Sequence, residues 1–266
     1  MKLRAAFDRA RTEQRAALVA YLTFGDPSPE ISIEVVAAAA RAGADVIELG
    51  VPFSDPSADG PAIQRAMERA LAAGGSLGGA LEATAALRAR GVTAPIVLFG
   101  YYNPIFTMGP ARFADRAAAA GADAALVVDL PIDEQSELAA PLAARGLGIV
   151  PLVAPTSTDD RIARLGALAP PPPFVYYISL AGVTGADGTR ARLDPTRVDR
   201  IRTASGAPVA IGFGIKTPAD AARVAAIADG VVVGSALVER SAAGAAADAP
   251  ARVASLVAEL ARAMHR

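Results

Sequence analysis

Eight short apolar runs recur along the chain with helix-like patterns between them, and this recurrence restricts the folds that the chain can adopt. The runs lack a clean alternation of apolar and polar residues, which is typical of parallel strands buried on both faces. Most runs start about 20 to 35 residues apart, the length of one strand-helix unit. Eight such units predict an α/β fold, the (β/α)8 TIM barrel. The predicted strands are residues 18–23, 46–49, 95–100, 124–129, 148–153, 174–179, 208–212 and 230–233.

The chain length of 266 residues suits one barrel, because this fold takes about 250 residues as a single domain. We therefore predict one (β/α)8 domain over residues 1–266. Before the first strand, Leu3, Phe7 and Ala10 fall on one face of a helical pattern. This apolar face predicts an extra N-terminal helix that covers the bottom of the barrel.

Composition excludes several classes of protein. The chain has no cysteine, so it has no disulfide framework, thiol nucleophile or thiolate metal site. The net charge of −1 provides no basic footprint for nucleic acid. No apolar run approaches the roughly 18 residues of a membrane span. The dispersed charges of the N-terminal segment MKLRAAFDRARTEQR do not resemble a signal peptide, so we predict a cytoplasmic protein.

The joints between a helix and the next strand repeat a short pattern. Ala-Gly-Ala-Asp precedes the second predicted strand at residues 42–45 and the fourth at residues 120–123. We interpret the glycines as helix C-terminal stops and the aspartates, Asp45 and Asp123, as turn residues on the stability face of the barrel. Neither aspartate is expected to take part in chemistry.

Carboxylates are concentrated in the loop after the second strand, on the face where barrels carry their active sites. Glu48 lies at the end of an apolar strand, where an unpartnered charge costs several kcal/mol unless it faces the open mouth or a ligand. A structural salt bridge is the alternative for Glu48. Asp55 and Asp59 follow in the same loop, and one of them could cap the helix that begins near Pro61. Magnesium bound by the three carboxylates also remains open.

Glycine-rich segments follow the last three strands. The sequence Gly-Phe-Gly-Ile at residues 212–215 and Gly234-Ser235 would let backbone amides approach an anion at a helix N-terminus, where barrels commonly bind phosphate. Tight packing at the barrel rim is the alternative. The loop after the sixth strand contains Gly182, Gly185 and Gly188, and its length is typical of a mobile lid or of an unstructured surface loop.

The scarcity of histidine and lysine disfavours two kinds of catalysis. A zinc enzyme needs His, Cys or carboxylate ligands, and the only histidine is His265, at the end of the chain. Schiff-base chemistry needs a buried lysine, whereas Lys216 follows a glycine turn and is expected to be exposed, and Lys2 lies in the N-terminal helix. If the chain cleaves a carbon-carbon bond, the substrate itself must therefore accept the electrons.

The segments 47–60 and 179–185 resemble the two signature loops of the tryptophan synthase alpha subunit family. The similarity extends from the turn at residues 23–27 through Gly234-Ser235, in the order of the family. This resemblance implies retro-aldol cleavage of indole-3-glycerol phosphate to indole and glyceraldehyde 3-phosphate, with no cofactor in this subunit. It also implies a pyridoxal-phosphate beta subunit in an α2β2 heterotetramer, contacted by the loop of Asp55 and by the segment near Asn103-Pro104.

The same resemblance implies roles for individual residues. Glu48 would transfer the protons, and Asp59 would accept the indole N–H and stabilise the charge that develops there. The residues matching the family's substrate pocket are Tyr21, Phe99, Tyr101, Leu126, Tyr176, Thr184 and Phe213. The residues matching its phosphate site are Gly185, Gly214, Gly234 and Ser235.

Two other functions remain open at this stage. A sugar-phosphate isomerase or epimerase of the same build could use Glu48 and Asp59 as an acid-base pair. Alternatively, the chain could be a partner-binding subunit that retains the phosphate site but has lost useful catalysis. Release of indole from indole-3-glycerol phosphate distinguishes the proposed lyase from both.

Overall fold

Short parallel strands form a single sheet in the computed structural model of the chain, which describes residues 2–168, 170–178, 194–212 and 214–265. The strands in these residues are β1 (Ala17–Thr23), β2 (Val46–Gly50), β3 (Ile96–Gly100), β4 (Ala124–Val127), β5 (Gly148–Ile149), β6 (Leu152–Val153), β7 (Val175–Ile178), β8 (Val209–Gly212) and β9 (Gly230–Val233). Their order in the sheet is β5-β4-β3-β2-β1-β9-β8-β7-β6.

The two ends of the sheet, β5 and β6, are consecutive segments of the predicted fifth strand, joined by Val150 and Pro151. Val150 N donates to Ala125 O at 2.9 Å on one side, and Pro151 O accepts from Tyr176 N at 3.0 Å on the other. The sheet thus closes into the predicted barrel. The prediction of an unbroken strand over residues 148–153 was wrong, because Pro151 has no N–H to donate to a neighbouring strand.

Helices surround the strands, as expected for this fold. Those in the described residues are α1 (Lys2–Thr12), α2 (Pro29–Arg41), α3 (Pro61–Ala72), α4 (Leu77–Ala89), α5 (Tyr102–Met108), α6 (Pro110–Ala120), α7 (Ser136–Ala144), α8 (Asp159–Ala163), α9 (Pro195–Ser205), α10 (Pro218–Ala225), α11 (Ser235–Ala242) and α12 (Ala249–Ala263). Within the described residues, no helix combines the length and the apolar character needed to cross a membrane.

The predicted N-terminal helix is confirmed as α1, and it packs against the lower end of the barrel interior. Leu3, Phe7 and Ala10 are all buried, as their common face predicted. The Phe7 ring lies 5.2 Å from the ring of Phe174. A Cβ atom added to Gly230 would lie 2.7 Å from Phe7 Cε1, so the glycine makes room for the helix.

Both faces of the strands are buried, which explains why their sequences lack apolar-polar alternation. In β1, Leu18 and Leu22 pack in the layer between strands and helices, whereas Val19 and Tyr21 belong to the cluster inside the barrel. Glu48 pairs in register with Tyr21, and paired residues of neighbouring parallel strands point to the same face. The fold therefore directs the Glu48 side chain into the barrel interior.

Aspartates at the lower ends of three strands each bind the preceding strand. Asp45 Oδ2 accepts from Leu18 N at 2.9 Å, and Asp123 Oδ2 accepts from Ile96 N at 2.9 Å. Asp229 accepts a hydrogen bond from β8 in the same way. Each aspartate also forms an ion pair with an arginine. The three arginines are Arg15, Arg88 and Arg202, in the order of the aspartates.

These contacts confirm the structural interpretation of the repeated joints. Gly121 ends α6 in the left-handed conformation, with φ of 83°, and Gly43 has φ of 114° just after α2. Both conformations favour glycine over other residues. Asp45 and Asp123 hold strands and arginines together on the face opposite the carboxylate loop.

Candidate active site

A cavity of about 330 Å³ opens at the carboxyl ends of the strands. Side chains from β1, β2, β3, β6, β7 and β9 line it, together with residues of the loops after β2, β4, β8 and β9. Most of its walls are apolar, with a few polar groups directed inward, which is the usual composition of a small-molecule site. The cavity is thus the first candidate for the active site.

Glu48 lines this cavity from β2, and its side chain is 0% exposed. Neither carboxyl oxygen has a hydrogen-bond partner in the described part of the chain, so the salt-bridge alternative finds no support there. Burial disfavours the charged form and raises the pKa of Glu48 from 4.5 to about 8. At neutral pH the carboxyl group therefore carries a proton that it can donate into the cavity.

Asp59 lies at the mouth of the cavity, held by an aromatic side chain from the next strand's loop. Tyr101 Oη donates to Asp59 Oδ2 at 2.7 Å and accepts from Ala58 N at 3.0 Å. The Phe53 ring stacks on Tyr101 with a centroid distance of 4.9 Å. Burial raises the pKa of Asp59, and the hydrogen bond from Tyr101 opposes the rise. Tyr101 thus fixes this carboxylate and favours its ionised form.

Neither of the other sequence interpretations of this loop fits the geometry. Gly60 is the N-cap of α3, and no side chain caps the helix. Asp55 is exposed and accepts a hydrogen bond from Ser54 Oγ at 2.5 Å, away from the cavity lining. Across the described residues, no group of three or more His, Cys, Asp or Glu side chains has a metal-binding arrangement.

Two tyrosines of the cavity wall, Tyr21 and Tyr176, lie against glycines of neighbouring strands. A Cβ atom added to Gly50 would lie 2.3 Å from Tyr21 Oη, and one added to Gly212 would lie 2.1 Å from Tyr176 Oη. Any larger residue would displace these rings. Burial and the nearby carboxylates Glu48 and Asp59 raise the pKa of both tyrosines, so both hydroxyls stay protonated.

The opposite end of the cavity has features of an anion site. Gly214, Gly234 and Ser235 line it, and α11 begins at Ser235 with Gly234 as its N-cap. Free backbone N–H groups at a helix N-terminus favour phosphate. Lys216 also lines the cavity, although the sequence interpretation gave it no role.

The structure brings most of the predicted site residues together. Those that line the cavity are Tyr21, Glu48, Phe99, Asp59, Tyr176, Gly214, Gly234 and Ser235. Tyr101 reaches the site through its hydrogen bond to Asp59, whereas Leu126 is buried next to Phe99 and is not part of the lining. The predicted residues Thr184, Gly185 and Phe213, with the proposed lid, lie outside the described residues.

Several apolar wall residues were missed by sequence reasoning. Val128, Leu152 and Ile178 all line the cavity. Strand periodicity contains part of the signal, because Val128 follows Leu126 by two residues and Ile178 follows Tyr176 by two, so each lies on the inward face. A short apolar run does not by itself reveal which face is inward.

Comparisons with known proteins agree over nearly the whole chain. The family model for the tryptophan synthase alpha chain matches residues 7–265. The tryptophan synthase alpha chain of Dechloromonas aromatica is 45% identical over 261 residues, which cover 98% of this chain and 97% of that protein. The protein of the same name from Phenylobacterium zucineum is 46% identical over 265 residues, covering 99% and 95%.

Solved structures also match this chain over nearly its whole length. A chain of Mycobacterium tuberculosis tryptophan synthase superimposes with a TM-score of 0.88 at 38% identity, covering 99% of this chain and 98% of that one. Tryptophan synthase subunit alpha from Legionella pneumophila also gives a TM-score of 0.88, at 35% identity and the same coverage. From its sequence relatives and its fold alike, the chain belongs to the tryptophan synthase alpha chain family.

Proposed function

We propose that the chain cleaves indole-3-glycerol phosphate to indole and glyceraldehyde 3-phosphate, with Glu48 and Asp59 as its catalytic residues. The reaction is a carbon-carbon lyase step of tryptophan biosynthesis. The observation that carries the assignment is Glu48, a buried carboxyl group that has no partner among the described residues and faces an apolar cavity of the size of a small ligand.

Glu48 begins the reaction by donating its proton to C3 of the indole ring. Protonation at C3 leaves a positive charge at the ring nitrogen and turns the ring into an electron acceptor. The bond between C3 and the side chain then breaks, and its electron pair returns to the ring. The hydroxyl group on the adjacent carbon loses its proton to the Glu48 carboxylate and becomes the aldehyde, so one proton enters and one leaves.

Asp59 accepts the hydrogen bond of the indole N–H and stabilises the charge that develops on the nitrogen. A fixed anion is suited to this task because its orientation is already set before the charge appears. The hydrogen bond from Tyr101 provides that orientation. The reaction as proposed needs no cofactor in this chain, because the protonated ring accepts the electrons.

The remaining predicted residues bind the two ends of the substrate. We assign the indole ring to the apolar part of the site and the phosphate to the amides near Gly214, Gly234 and Ser235. The residues of the ring pocket are Tyr21, Phe99, Tyr101, Tyr176 and, outside the described residues, Thr184 and Phe213, while Leu126 is buried next to Phe99. Gly185, also outside them, belongs to the proposed phosphate site.

Substitution of Glu48 by glutamine tests the assignment directly. Glu48→Gln keeps the shape of the side chain but cannot donate and recover the proton. We expect indole release from indole-3-glycerol phosphate to fall on the order of 100-fold or more. Binding of the unreactive analogue indole-3-propanol phosphate should remain within a few-fold of wild type.

Matched measurements distinguish the remaining alternatives. Glu82→Gln removes an exposed glutamate of α4 and serves as the control, with unchanged turnover. Equal rates for Glu48→Gln and wild type would show that Glu48 is structural. A folded wild-type protein that releases no indole, even with a beta subunit present, would contradict the proposed reaction.

We further propose that the chain functions with a tryptophan synthase beta subunit in an α2β2 heterotetramer in the cytoplasm, with pyridoxal phosphate in the partner. Support comes from family membership and from the surface beside the predicted contact segment Asn103-Pro104. There Phe106 on α5 is 60% exposed, and its ring lies 6.0 Å from that of Tyr102. The mass of the mixture of both subunits, measured by light scattering, tests the stoichiometry.

A further inference from the structure

Lys216 lies at the anion-binding end of the cavity, in the loop between β8 and α10. It lines the cavity together with Gly214, Gly234 and Ser235. The residue is exposed, as the sequence interpretation expected, and it also forms part of the cavity lining. A lysine here can reach a ligand without the desolvation that a buried ammonium suffers.

The backbone of Lys216 is fixed, whereas its ammonium group has no partner among the described residues. Lys216 N donates to Asp220 Oδ2 at 3.3 Å, and Thr217 N donates to the same oxygen at 3.0 Å. Thr217 and Asp220 form the capping box of α10. Arg223 forms an ion pair with Asp220, so the nearby carboxylate is already occupied.

A bound phosphate would add negative charge to a cavity that already contains two carboxyl groups. Among the described lining residues, the ionisable acids are Glu48 and Asp59, and Lys216 is the one side chain with a positive charge. A phosphate ester adds about two negative charges near neutral pH. Without Lys216, backbone amides alone would have to stabilise this dianion in a cavity that also contains Asp59.

We propose that Lys216 binds the phosphate group of the substrate through its side-chain ammonium and selects for phosphorylated ligands. The inference rests on the proposed function for the identity of the substrate, but binding of a phosphate at this end can be measured without turnover. A charge-assisted contact is stronger than a neutral hydrogen bond and adds long-range attraction for the anion. Lys216 is therefore a binding residue and has no part in the proton transfers.

The scarcity of lysine makes a direct test possible, because Lys2 and Lys216 are the only two in the chain. Reductive methylation with ¹³C-formaldehyde labels both ammonium groups and keeps their charge. Titration with inorganic phosphate and with glycerol 3-phosphate should shift the Lys216 signal. The Lys2 signal, from α1 on the opposite face, should not move, and glycerol should move neither.

Steady-state kinetics of Lys216 variants provide a second test of the phosphate contact. For Lys216→Gln we expect the KM for indole-3-glycerol phosphate to rise on the order of 10-fold, with kcat nearly unchanged. Lys216→Arg retains the charge and should recover most of the loss. Lys2→Gln is the matched control and should behave as wild type. The difference between Lys216→Gln and wild type should shrink as ionic strength rises, since salt screens an exposed charge.

The outcomes separate the inference from the function on which it rests. Wild-type indole release with no Lys216 signal shift and an unchanged KM in Lys216→Gln would overturn the role of Lys216 and leave the lyase intact. A phosphate-dependent Lys216 shift in a protein that releases no indole would support the phosphate contact and contradict the proposed reaction.

Discussion

Glu48 is buried and Asp59 is half-buried, and of the two only Asp59 has a hydrogen-bond donor beside it among the described residues. Burial alone acts on Glu48 and moves its pKa to about 8, so it is protonated at neutral pH. Tyr101 limits the corresponding rise at Asp59 and favours the ionised form. The surroundings of the two carboxyl groups thus differ, because the pKa rise caused by burial is opposed by a hydrogen bond at Asp59 and not at Glu48.

Tyr101→Phe removes this donor and should weaken catalysis through Asp59. Without the hydrogen bond the pKa of Asp59 rises further, so the acidic limb of kcat/KM shifts to higher pH. At neutral pH we expect a loss on the order of 10-fold, the usual scale for one hydrogen bond to a charged group. The measurement is the pH profile of indole release.

The neighbouring tyrosine provides a control for that experiment. Tyr102 donates to Glu137 at 3.2 Å, outside the cavity lining, so Tyr102→Phe should leave the pH profile unchanged. If Tyr101→Phe gave the wild-type acidic limb, Tyr101 would have no influence on the charge of Asp59.

The two carboxylates could be identified from sequence more readily than the residue that holds one of them in place, Tyr101. Glu48 is conspicuous as a charge in an apolar strand, and the resemblance gave Asp59 its role. The Tyr101–Asp59 bond joins residues far apart in sequence and has no local signal. For Lys216, sequence predicted exposure but could not show that the residue belongs to the cavity lining.

Among the elements, the strands are tied together at their lower ends by the aspartate contacts. Asp45 is 3% exposed and accepts hydrogen bonds from Leu18 N and from both terminal nitrogens of Arg15. The arrangement connects β1, β2 and the segment after α1. Removal of the carboxylate would leave a partly buried guanidinium group without its main partner.

Asp45→Ala is therefore expected to destabilise the protein by about 3 kcal/mol, as for other broken buried ion pairs. Urea denaturation followed by circular dichroism measures the loss. Asp8→Ala is the control, because Asp8 forms an exposed pair with Arg11 within α1 and such pairs contribute about 0 to 1 kcal/mol. Equal losses in the two variants would contradict the structural importance of Asp45.

Most elements could be predicted from sequence because their boundaries depend on local chemistry. The Gly-Ala-Asp joints marked the starts of β2 and β4. The fifth strand was placed correctly, but its interruption depends on which neighbour each half joins, and that is a property of the closed barrel. The sequence shows Pro151, but its effect on the strand becomes clear only when the order of the strands in the sheet is known.

For the whole molecule, Glu48 links the active site to global stability. Well below pH 4.5 the residue is protonated in both folded and unfolded states, so it contributes no pH dependence there. Between pH 4.5 and about 8 the unfolded chain loses this proton while the folded protein keeps it. The free energy of unfolding therefore falls as pH rises, by about 1.4 kcal/mol per unit at most, and the effect levels off above the folded pKa.

Glu48→Gln should remove this slope. We expect the variant to gain stability relative to wild type as pH rises from 5 to about 8, by a few kcal/mol in all. Asp59, whose pKa is also raised, is present in both proteins and cancels in the difference. Denaturant unfolding at several pH values measures the gain, and parallel stability curves would show that Glu48 is not buried as a neutral acid.

The divided fifth strand has fewer backbone pairs with its neighbours than the other described strands have. β5 pairs with β4, and β6 with β7, over two residues each, whereas β1 pairs with β2 over five. Leu152 of β6 lines the cavity on that side, while Glu48 lies in the firmly paired β2. Fewer backbone pairs therefore hold the wall at Leu152 than hold the strand of the proton donor, so we expect adjustment to a bulkier ring on the Leu152 side and little change at Glu48.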